Sequence, residues 1–436
     1  MNDKLALFGG IPVVKTQKIP TWPDVGLEEI EAVKELLQHN ILSIYDRSGI
    51  YEEFETNFAQ YHGVKYALSH NSGTSSLHAA FFAAGVGPGD EVLAPTYTFL
   101  ATATPIFQLG ATPILCEMDP ETLTIDPEDT AARVTSKTKA IVVTHMWGHP
   151  CEMGQLMEIA RTHNLILIED CSHAHGATYK GRKVGTIGHM GCFSLEGHKA
   201  ICAGEGGMLI TNEQEFYERA ILLGHFGKRA KQEVTLQPYR RYVETGFGHK
   251  YRIHPLGAAI ANIALKYLDQ KNEIRRHNMN WFSQRISGIP GIVPPITRSH
   301  STRGGWYGYK PFYKPEDLGN LSISRYIEAL DAEGVPIKKP GSKPLHLLPL
   351  FQDPPSKLTQ LGSFWRSFAS CASPGYKQGD FPISEGIYSR LLSLPVFAQP
   401  ALPLLEEFAI ALEKVAENFK KLLDKSLNIK ANHDDD

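Results

Sequence analysis

The fold is decided by residues 194–207, which read Ser194-Leu195-Glu196-Gly197-His198-Lys199-Ala200-Ile201-Cys202-Ala203-Gly204-Glu205-Gly206-Gly207. This stretch places Lys199 between a short apolar strand pattern and a glycine-rich turn. A lysine in a sheltered, partly desolvated site has a lowered pKa, and its amine can attack a carbonyl carbon to form a Schiff base. The commoner fate of a lysine is a surface salt bridge, but the flanking pattern favours a reactive amine.

An acidic pair follows another apolar run about 30 residues upstream. Leu165-Ile166-Leu167-Ile168 leads directly into Glu169 and Asp170, at what we predict to be a strand end. An aspartate at that point can pair with a pyridinium nitrogen, and a lysine together with such an aspartate is the basic requirement of pyridoxal phosphate chemistry. The alternative for Asp170 is a capping residue of a turn or helix.

Short apolar runs alternate with helical patterns between about residues 60 and 212. The predicted strands are 66–68, 91–94, 112–115, 140–143, 165–168, 191–194 and 208–210, and the predicted helices between them include 74–84, 98–109 and 153–162. The later runs are apolar throughout, as expected when helices cover both faces of a mainly parallel sheet. This alternation predicts an α/β layered domain.

The sequence predicts three parts, an N-terminal arm at 1–25, a large α/β domain at 26–290 and a small α+β domain at 291–436. One or two long helices at 255–290 lead out of the large domain. The small domain has a predicted strand at 308–312 and helices at 322–333 and 402–423. Residues 339–385 are rich in Pro, Ser, Gly and aromatics without a clear period, which predicts long loops with short helices. The tail 432–436 is expected to be solvated.

Composition narrows the class of protein. The 436 residues are 42% hydrophobic and 21% charged, with a net charge of −3 and mixed signs along the chain. Nothing in this balance indicates a nucleic-acid-binding surface. No run reaches the ~18 apolar residues of a membrane span, and the N-terminus lacks a secretory signal pattern, so we expect a cytoplasmic protein without a membrane partner.

The cysteines show no metal-binding or disulfide pattern. They are scattered without a CxxC pair, at Cys116, Cys151, Cys171, Cys192, Cys202 and Cys371. Small buried residues in a reducing compartment are the simpler interpretation, and His, Asp and Cys pairs elsewhere lack zinc-ligand spacing. We therefore predict no metal and no disulfide.

An anion site is predicted at Asn71-Ser72-Gly73-Thr74-Ser75-Ser76, between a strand and an Ala-rich helix. Gly73 allows a tight turn, while the hydroxyls and the first N–H groups of the helix suit a phosphate. The alternative is an ordinary N-cap, because Ser and Thr are favoured there for structural reasons alone.

With these segments in view, the chain resembles the sugar aminotransferases of the DegT/DnrJ/EryC1/StrS family, fold-type I pyridoxal phosphate enzymes of the aspartate aminotransferase superfamily. The resemblance runs from about residue 26 to residue 425. It rests on seven features in the right order, Gly73-Thr74-Ser75, Gly87-Pro88-Gly89-Asp90-Glu91-Val92, Pro95-Thr96-Tyr97-Thr98-Phe99, Gly110-Ala111-Thr112-Pro113, Glu169-Asp170-Cys171-Ser172-His173, the spacing of Ser194 to Lys199, and Gly204-Glu205-Gly206-Gly207.

The resemblance implies a cofactor, pyridoxal 5′-phosphate, and a role for each matching residue. Lys199 would carry the cofactor as a Schiff base and then move the substrate proton, and Asp170 would pair with the pyridine nitrogen. Ser194, Thr74 and Ser75 would hold the phosphate beside Gly73. Phe99 matches the family's aromatic that stacks on the ring, and His173 lies where the family has Gln or His. Core packing of Phe99 and a structural histidine at 173 are the alternatives.

Other residues are weaker candidates. Where the family has Gly-x-Asn-x-Arg-Met, this chain reads Gly248-His249-Lys250-Tyr251-Arg252-Ile253, so Lys250 replaces the asparagine that reaches the neighbouring subunit's phosphate. A solvated basic patch is the alternative. Arg252 is a candidate for the donor carboxylate. His145 and Trp147 follow a strand end and could line the site or form a turn, and His346 resembles a loop near the substrate.

The resemblance implies an aminotransferase that moves an amino group from glutamate or glutamine to a keto sugar or keto-cyclitol, in a homodimer with shared active sites. Residues 5–13 and 20–23 look like the openings of cyclitol and antibiotic-sugar members, which slightly favours a non-nucleotide acceptor. One alternative is a sugar dehydratase of the same family, which has histidine at the lysine position. Counting from Ser194 places Lys199, and not His198, at the position that distinguishes the two enzyme classes. The other alternative is a non-catalytic sensor.

Overall fold

A computed structural model describes residues 4–16, 19–353, 357 and 375–423. Its strands are β1 Tyr66–His70, β2 Glu91–Pro95, β3 Thr112–Cys116, β4 Thr138–Thr144, β5 Ile166–Asp170, β6 Thr178–Tyr179, β7 Arg182–Lys183, β8 Met190–Ser194, β9 Gly207–Thr211, β10 Ile292–Val293, β11 Ser301–Thr302 and β12 Phe312–Tyr313. Its helices are α1 Leu27–Gln38, α2 Ile50–His62, α3 Gly73–Ala83, α4 Thr104–Gln108, α5 Pro127–Ala132, α6 Met153–Thr162, α7 Gln214–Gly224, α8 Lys228–Glu233, α9 Gln237–Arg240, α10 Pro255–Lys266, α11 Leu268–Ile286, α12 Ile323–Ala332, α13 Pro349–Gln352, α14 Pro382–Arg390, α15 Leu402–Glu417 and α16 Phe419–Leu423. Cys371, the tail 432–436 and part of the predicted loop region 339–385 lie outside the described residues.

The large sheet has seven strands in the order β1-β9-β8-β5-β4-β2-β3. Strand β9 runs antiparallel to both of its neighbours, and the other neighbouring pairs are parallel. All seven strands overlap the runs predicted from the sequence, so the mainly parallel α/β class is confirmed. Because parallel strands end at one edge, the segments that follow β1, β2, β4, β5 and β8 meet there.

Helices cover both faces of this sheet. In β9 the side chain of Leu209 packs into the core on one face, whereas Met208 and Ile210 pack into the core on the other. The first core includes residues of α3 and α7, and the second includes residues of α2 and α10. Both faces are apolar because both are buried, which explains why the strand runs do not alternate with polar residues.

Three predicted elements differ from the structure. The helix expected at 98–109 is a 3₁₀ turn at Leu100–Thr102 followed by α4, because Pro105 has no N–H to donate to the preceding turn. The strand expected at 308–312 is only β12, Phe312–Tyr313. Tyr309 instead forms an isolated bridge with Leu394. The last helix divides into α15 and α16 at Asn418.

A second core lies in the C-terminal part of the chain and reaches back into α11, whose Met279, Phe282 and Ile286 contribute to it. The N-terminal arm packs on the same region, since the buried Glu333 carboxylate accepts hydrogen bonds from the N–H groups of Ala6 at 2.8 Å and Val13 at 3.1 Å. The predicted domain boundaries stay a prediction. Within the described ranges, every helix is too short or too polar to cross a membrane.

Candidate active site

A cavity of about 500 Å³ opens at the carboxyl edge of the large sheet. The segments that follow β1, β2, β4, β5 and β8 supply most of its wall. Eight of the residues proposed from the sequence line it, namely Gly73, Thr74, Phe99, Trp147, Asp170, His173, Ser194 and Lys199. The remaining five, Ser75, His145, Lys250, Arg252 and His346, lie outside its lining.

Lys199 is 8% exposed, and its Nζ atom lies 3.7 Å from the centroid of the Tyr307 ring. Burial lowers the pKa of Lys199 to about 8, against the opposing effect of the Asp170 carboxylate. The side chain of the preceding residue, His198, is 73% exposed and bonds to Glu196. Lys199 is therefore the residue whose amine reaches the cavity next to Asp170, in agreement with the count from Ser194.

The Asp170 carboxylate is held by two donors at the end of β5. Its Oδ2 accepts from the Thr102 hydroxyl at 2.7 Å, and its Oδ1 accepts from the N–H of Ser172 at 3.0 Å. The Thr102 hydroxyl belongs to a buried network with the hydroxyls of Thr98 and Thr144. This network fixes the position of the carboxylate.

The N-terminus of α3 forms the opposite side of the cavity. Ser72 caps this helix by accepting from the N–H of Ser75 at 3.0 Å. The N–H groups of Gly73 and Thr74 have no acceptor among the residues that the structure describes, which leaves them available to an anion. A Cβ atom on Gly73 would lie 2.7 Å from the Cβ of Ser194, so glycine is required for Ser194 to lie this close to the helix.

Ser75 takes part in the N-cap of α3 and does not line the cavity. Its hydroxyl donates to the Asn71 side chain at 2.7 Å, so the hydroxyl that the sequence assigned to the phosphate has another partner.

Three rings stack along one wall of the cavity. His173 lies between Trp147 and Tyr307, at centroid distances of 5.1 and 4.1 Å. Burial lowers the pKa of His173 well below its usual value, so its imidazole is neutral. Two buried polar atoms of this wall, His173 Nδ1 and Trp147 Nε1, have no partner in the described part of the chain. Phe99 lies at the rim and is 53% exposed.

His145 is a structural residue, contrary to its proposed place at the site. It is fully buried, with Nε2 at 2.9 Å from the Glu169 carboxylate and Nδ1 accepting from the N–H of Cys151 at 3.0 Å. Both ring nitrogens are thereby used. His145, Glu169 and Cys171 together place a ring nitrogen, a carboxylate oxygen and a thiol sulfur within 4.8 Å of one another, which are atom types that can bind a metal. Both Glu169 oxygens, however, also accept hydrogen bonds from backbone N–H groups, at residues 185, 187 and 188. These bonds give Glu169 a structural role.

His346 is likewise structural. It is fully buried, and its ring bonds to the Thr96 hydroxyl at 2.7 Å and to the Glu385 carboxylate at 2.9 Å. It thus ties the segment after residue 340 to the segment that follows β2, where Thr96 lies. Ser342 of that segment does line the cavity.

The segment 248–253 lies beside the helix N-terminus. The carbonyl of Lys250 accepts from the Asn71 side chain at 3.4 Å, while the Lys250 side chain is exposed. The Arg252 guanidinium lies over the ring of Tyr45, 4.8 Å from its centroid.

Sequence reasoning missed three residues that support the site. Tyr307 covers the lysine amine, Thr102 donates to Asp170, and the Trp22 indole N–H donates to the carbonyl of Lys199 at 3.1 Å. The run of glycine and aromatic residues at 304–309 was the available signal for Tyr307. No local pattern around Trp22 indicates its bond to Lys199, because that bond depends on where the N-terminal arm packs.

A model of the DegT/DnrJ/EryC1/StrS aminotransferase family matches residues 23–403. The chain belongs to this family. GDP-perosamine synthase from Caulobacter vibrioides is 38% identical over 299 residues, which are 68% of this chain and 77% of that protein. L-glutamine:scyllo-inosose aminotransferase from Streptomyces griseus is 31% identical over 431 residues, 97% of this chain and 100% of that protein. An X-ray structure of the aminotransferase from Psychrobacter cryohalolentis covers 92% of this chain and 100% of its own, with 28% identity and a TM-score of 0.81.

Membership in this DegT/DnrJ/EryC1/StrS family confirms the resemblance found in the sequence and the fold-type I architecture. The chain is an aminotransferase, and its family implies pyridoxal phosphate as the cofactor.

Proposed function

We propose that this enzyme moves an amino group from glutamate or glutamine onto the ketone carbon of a sugar or cyclitol, in the biosynthesis of amino sugars, surface glycans or aminoglycosides. One observation carries the proposal, the buried amine of Lys199 in one cavity with Asp170 and the N-terminus of α3. The names of similar proteins support the substrates, since they include a perosamine synthase and glutamine:inosose aminotransferases.

The residues of the cavity fit pyridoxal 5′-phosphate. The unpaired N–H groups of Gly73 and Thr74, with the Ser194 hydroxyl, would take the phosphate. The Asp170 carboxylate would take the protonated ring nitrogen, and Lys199 would take the aldehyde carbon. Phe99, half exposed at the rim, would stack its ring on the cofactor. When bound, the cofactor supplies an electron sink for the carbanion.

The protein's own groups supply the proton transfers and the dry environment. Because burial lowers the pKa of Lys199 to about 8, more of its amine is neutral near neutral pH than in an ordinary lysine, so it can take a proton from the substrate carbon and return it. Asp170, fixed by Thr102, would hold the proton on the ring nitrogen. The stacked wall of Trp147, His173 and Tyr307 would shield one side of the Lys199 amine from water.

A homodimer with shared active sites is part of the proposal. Phe99 at the cavity rim is 53% exposed and the neighbouring Leu100 is 44% exposed, which is apolar surface that a second copy would cover. The exposed Lys250 ammonium would then reach the partner's phosphate site as a point charge. Arg252 lies over the ring of Tyr45 and outside the lining of the cavity of its own chain, so it would contact the donor carboxylate only in the site of the partner subunit.

The test is amino transfer in two halves. Purified enzyme loaded with pyridoxal phosphate is mixed with L-glutamine or L-glutamate, and the 2-oxo acid and the cofactor spectrum are followed. A keto sugar or cyclitol is then added to restore the first spectrum. We expect both halves in the wild type and in the exposed-lysine control Lys137→Ala, and neither in Lys199→Ala. Release of water from the sugar without formation of an amine would instead establish the dehydratase alternative.

A further inference from the structure

Lys199 lies outside the helices and strands, in the segment between β8 and β9. Individual hydrogen bonds therefore fix its backbone, in place of a helix or a sheet ladder. The N–H of Lys199 donates to the carbonyl of Glu196 at 2.8 Å, and its carbonyl accepts from the indole N–H of Trp22 at 3.1 Å. Trp22 thus holds the carbonyl of the residue whose amine reaches the cavity.

A buried cation lies against the ring face of Trp22. The Arg275 guanidinium is 4.3 Å from the centroid of this ring, and Arg275 is 4% exposed. An aromatic face attracts a cation, most strongly where water is excluded, so this contact restrains the tilt of the ring. The indole N–H lies at the ring edge, and a restrained ring directs this donor at the Lys199 carbonyl. The two contacts use different parts of one side chain.

Arg275 also connects Trp22 to the stacked wall of the cavity. Its guanidinium donates to the Asn272 amide oxygen at 3.1 Å, and the Asn272 amide nitrogen donates to the carbonyl of His175 at 2.9 Å. The same carbonyl accepts from the N–H of Gly305 at 3.1 Å. His175 and Gly305 each lie two residues along the chain from a ring of the stacked wall. The contacts of Trp22 therefore extend to the wall that covers the lysine amine.

The N-terminal arm is anchored on both sides of Trp22. Before it, the N–H of Val13 donates to the buried Glu333 carboxylate at 3.1 Å. After it, the Asp24 carboxylate lies 2.8 Å from the Lys271 ammonium. These anchors limit the movement of the indole.

We propose that Trp22 is a positioning residue for amino transfer, which holds the backbone of Lys199 from the N-terminal arm and so keeps the lysine amine in the cavity next to Asp170. Because this amine must meet a carbon at bonding distance, a small displacement of the lysine backbone would misplace it. Trp22 does not line the cavity, so it acts through Lys199. The inference rests on the proposed function, in which Lys199 carries the cofactor.

Two changes at position 22 separate the hydrogen-bond donor from the ring. Trp22→Phe keeps an aromatic face for Arg275 and removes the N–H. Incorporation of benzothienylalanine at position 22 replaces the N–H with sulfur and keeps the shape of the side chain, so this protein decides the question if Trp22→Phe fails to fold. Trp281→Phe is the matched control, because Trp281 is partly buried beside the second core and outside the cavity lining.

The first measurement is the pKa of the Lys199 amine in the cofactor-free protein. It is obtained from the pH dependence of acetylation by acetic anhydride, mapped by peptide mass spectrometry. Burial lowers this pKa to about 8 in the wild type. Loss of the indole bond would loosen the segment and let water reach the amine, so both changes at position 22 should raise the pKa by about 0.5 to 1. Trp281→Phe should leave it unchanged.

The second measurement is the donor half-reaction of the pyridoxal phosphate-loaded enzyme, followed by stopped-flow absorbance with the donor that the wild type accepts. The maximal rate should fall about 3- to 10-fold with both changes at position 22, while the donor concentration for half-maximal rate changes by less than about twofold. A misplaced amine slows the chemical step, whereas Trp22 makes no contact with the donor site.

The proposal would be overturned if the benzothienylalanine protein matched Trp281→Phe in both measurements. A raised donor concentration for half-maximal rate, with the maximal rate unchanged, would also overturn it, because Trp22 would then act on donor binding. The cofactor-free pKa separates this failure from a failure of the proposed function. If the wild type shows no donor half-reaction, the proposed function is wrong, and the pKa alone decides whether Trp22 holds the lysine. If the wild type reacts and both changes at position 22 match the control, only the positioning role is wrong.

Discussion

Replacing Lys199 with methionine should stabilise the cofactor-free protein while it abolishes amino transfer. Burial lowers the pKa of this amine from 10.5 to about 8. Each pKa unit corresponds to about 1.4 kcal/mol, so the charged amine costs the folded state about 3 kcal/mol at pH 7. Because the unfolded chain binds the proton more tightly, this cost is fully present below about pH 8 and disappears as the pH rises through 10.5.

Urea unfolding of the cofactor-free protein measures this cost directly. Lys199→Met and the exposed-lysine control Lys137→Met are compared with the wild type at pH 7 and pH 10.5. We expect the free energy of unfolding of Lys199→Met to exceed that of the wild type by about 3 kcal/mol at pH 7 and by less than about 0.5 kcal/mol at pH 10.5. Equal or lower stability at pH 7, or a gain that does not change with pH, would refute the reasoning.

Three further changes probe separate parts of the site. Asp170→Asn removes the charge that would face the ring nitrogen. We expect the variant to keep the cofactor and its donor half-reaction, followed by stopped-flow absorbance, to slow at least about 1,000-fold. A decrease in rate of less than tenfold would contradict this. Gly73→Ala places a Cβ 2.7 Å from the Cβ of Ser194. We expect the dissociation constant of pyridoxal phosphate to rise about tenfold or more, whereas Gly87→Ala, whose added Cβ meets nothing within 4 Å, should leave it unchanged. His145→Ala breaks the bond to the buried Glu169 carboxylate. Urea unfolding should show a free energy of unfolding lower by about 3 kcal/mol, while the KM for the donor stays unchanged. Unchanged stability with a raised KM would instead place His145 at the site.

The sequence was sufficient for most of the fold and for the groups that meet at its carboxyl edge. Buried strands are apolar throughout, and the residues that follow them must share one edge when the strands are parallel. The family resemblance placed Asp170 and Ser194 at one site, and the structure agrees, because Asp170 is the last residue of β5 and Ser194 is the last residue of β8. The spacing from Ser194 then selected Lys199 over His198, and the burial of the two side chains agrees.

Residues whose contacts come from distant parts of the chain could not be assigned in this way. His346 bonds to Thr96, which is 250 residues away, and no local pattern reveals that such a histidine is already satisfied. His145 bonds to Glu169 on the adjacent strand β5, and the sequence alone does not show which side of the sheet a residue beyond a strand end will face. Tyr307 reaches Lys199 only because the chain that follows β11 packs against the carboxyl edge of the large sheet.

The most direct measurement is to locate the covalent attachment of the cofactor. Enzyme loaded with pyridoxal phosphate is reduced with sodium borohydride, digested and mapped by peptide mass spectrometry, with Lys199→Ala treated in parallel. The account predicts loss of the visible absorbance band and one stoichiometric pyridoxyl adduct, on Lys199, that is missing from the variant. An adduct on any other lysine, or no adduct although the cofactor is bound, would contradict it.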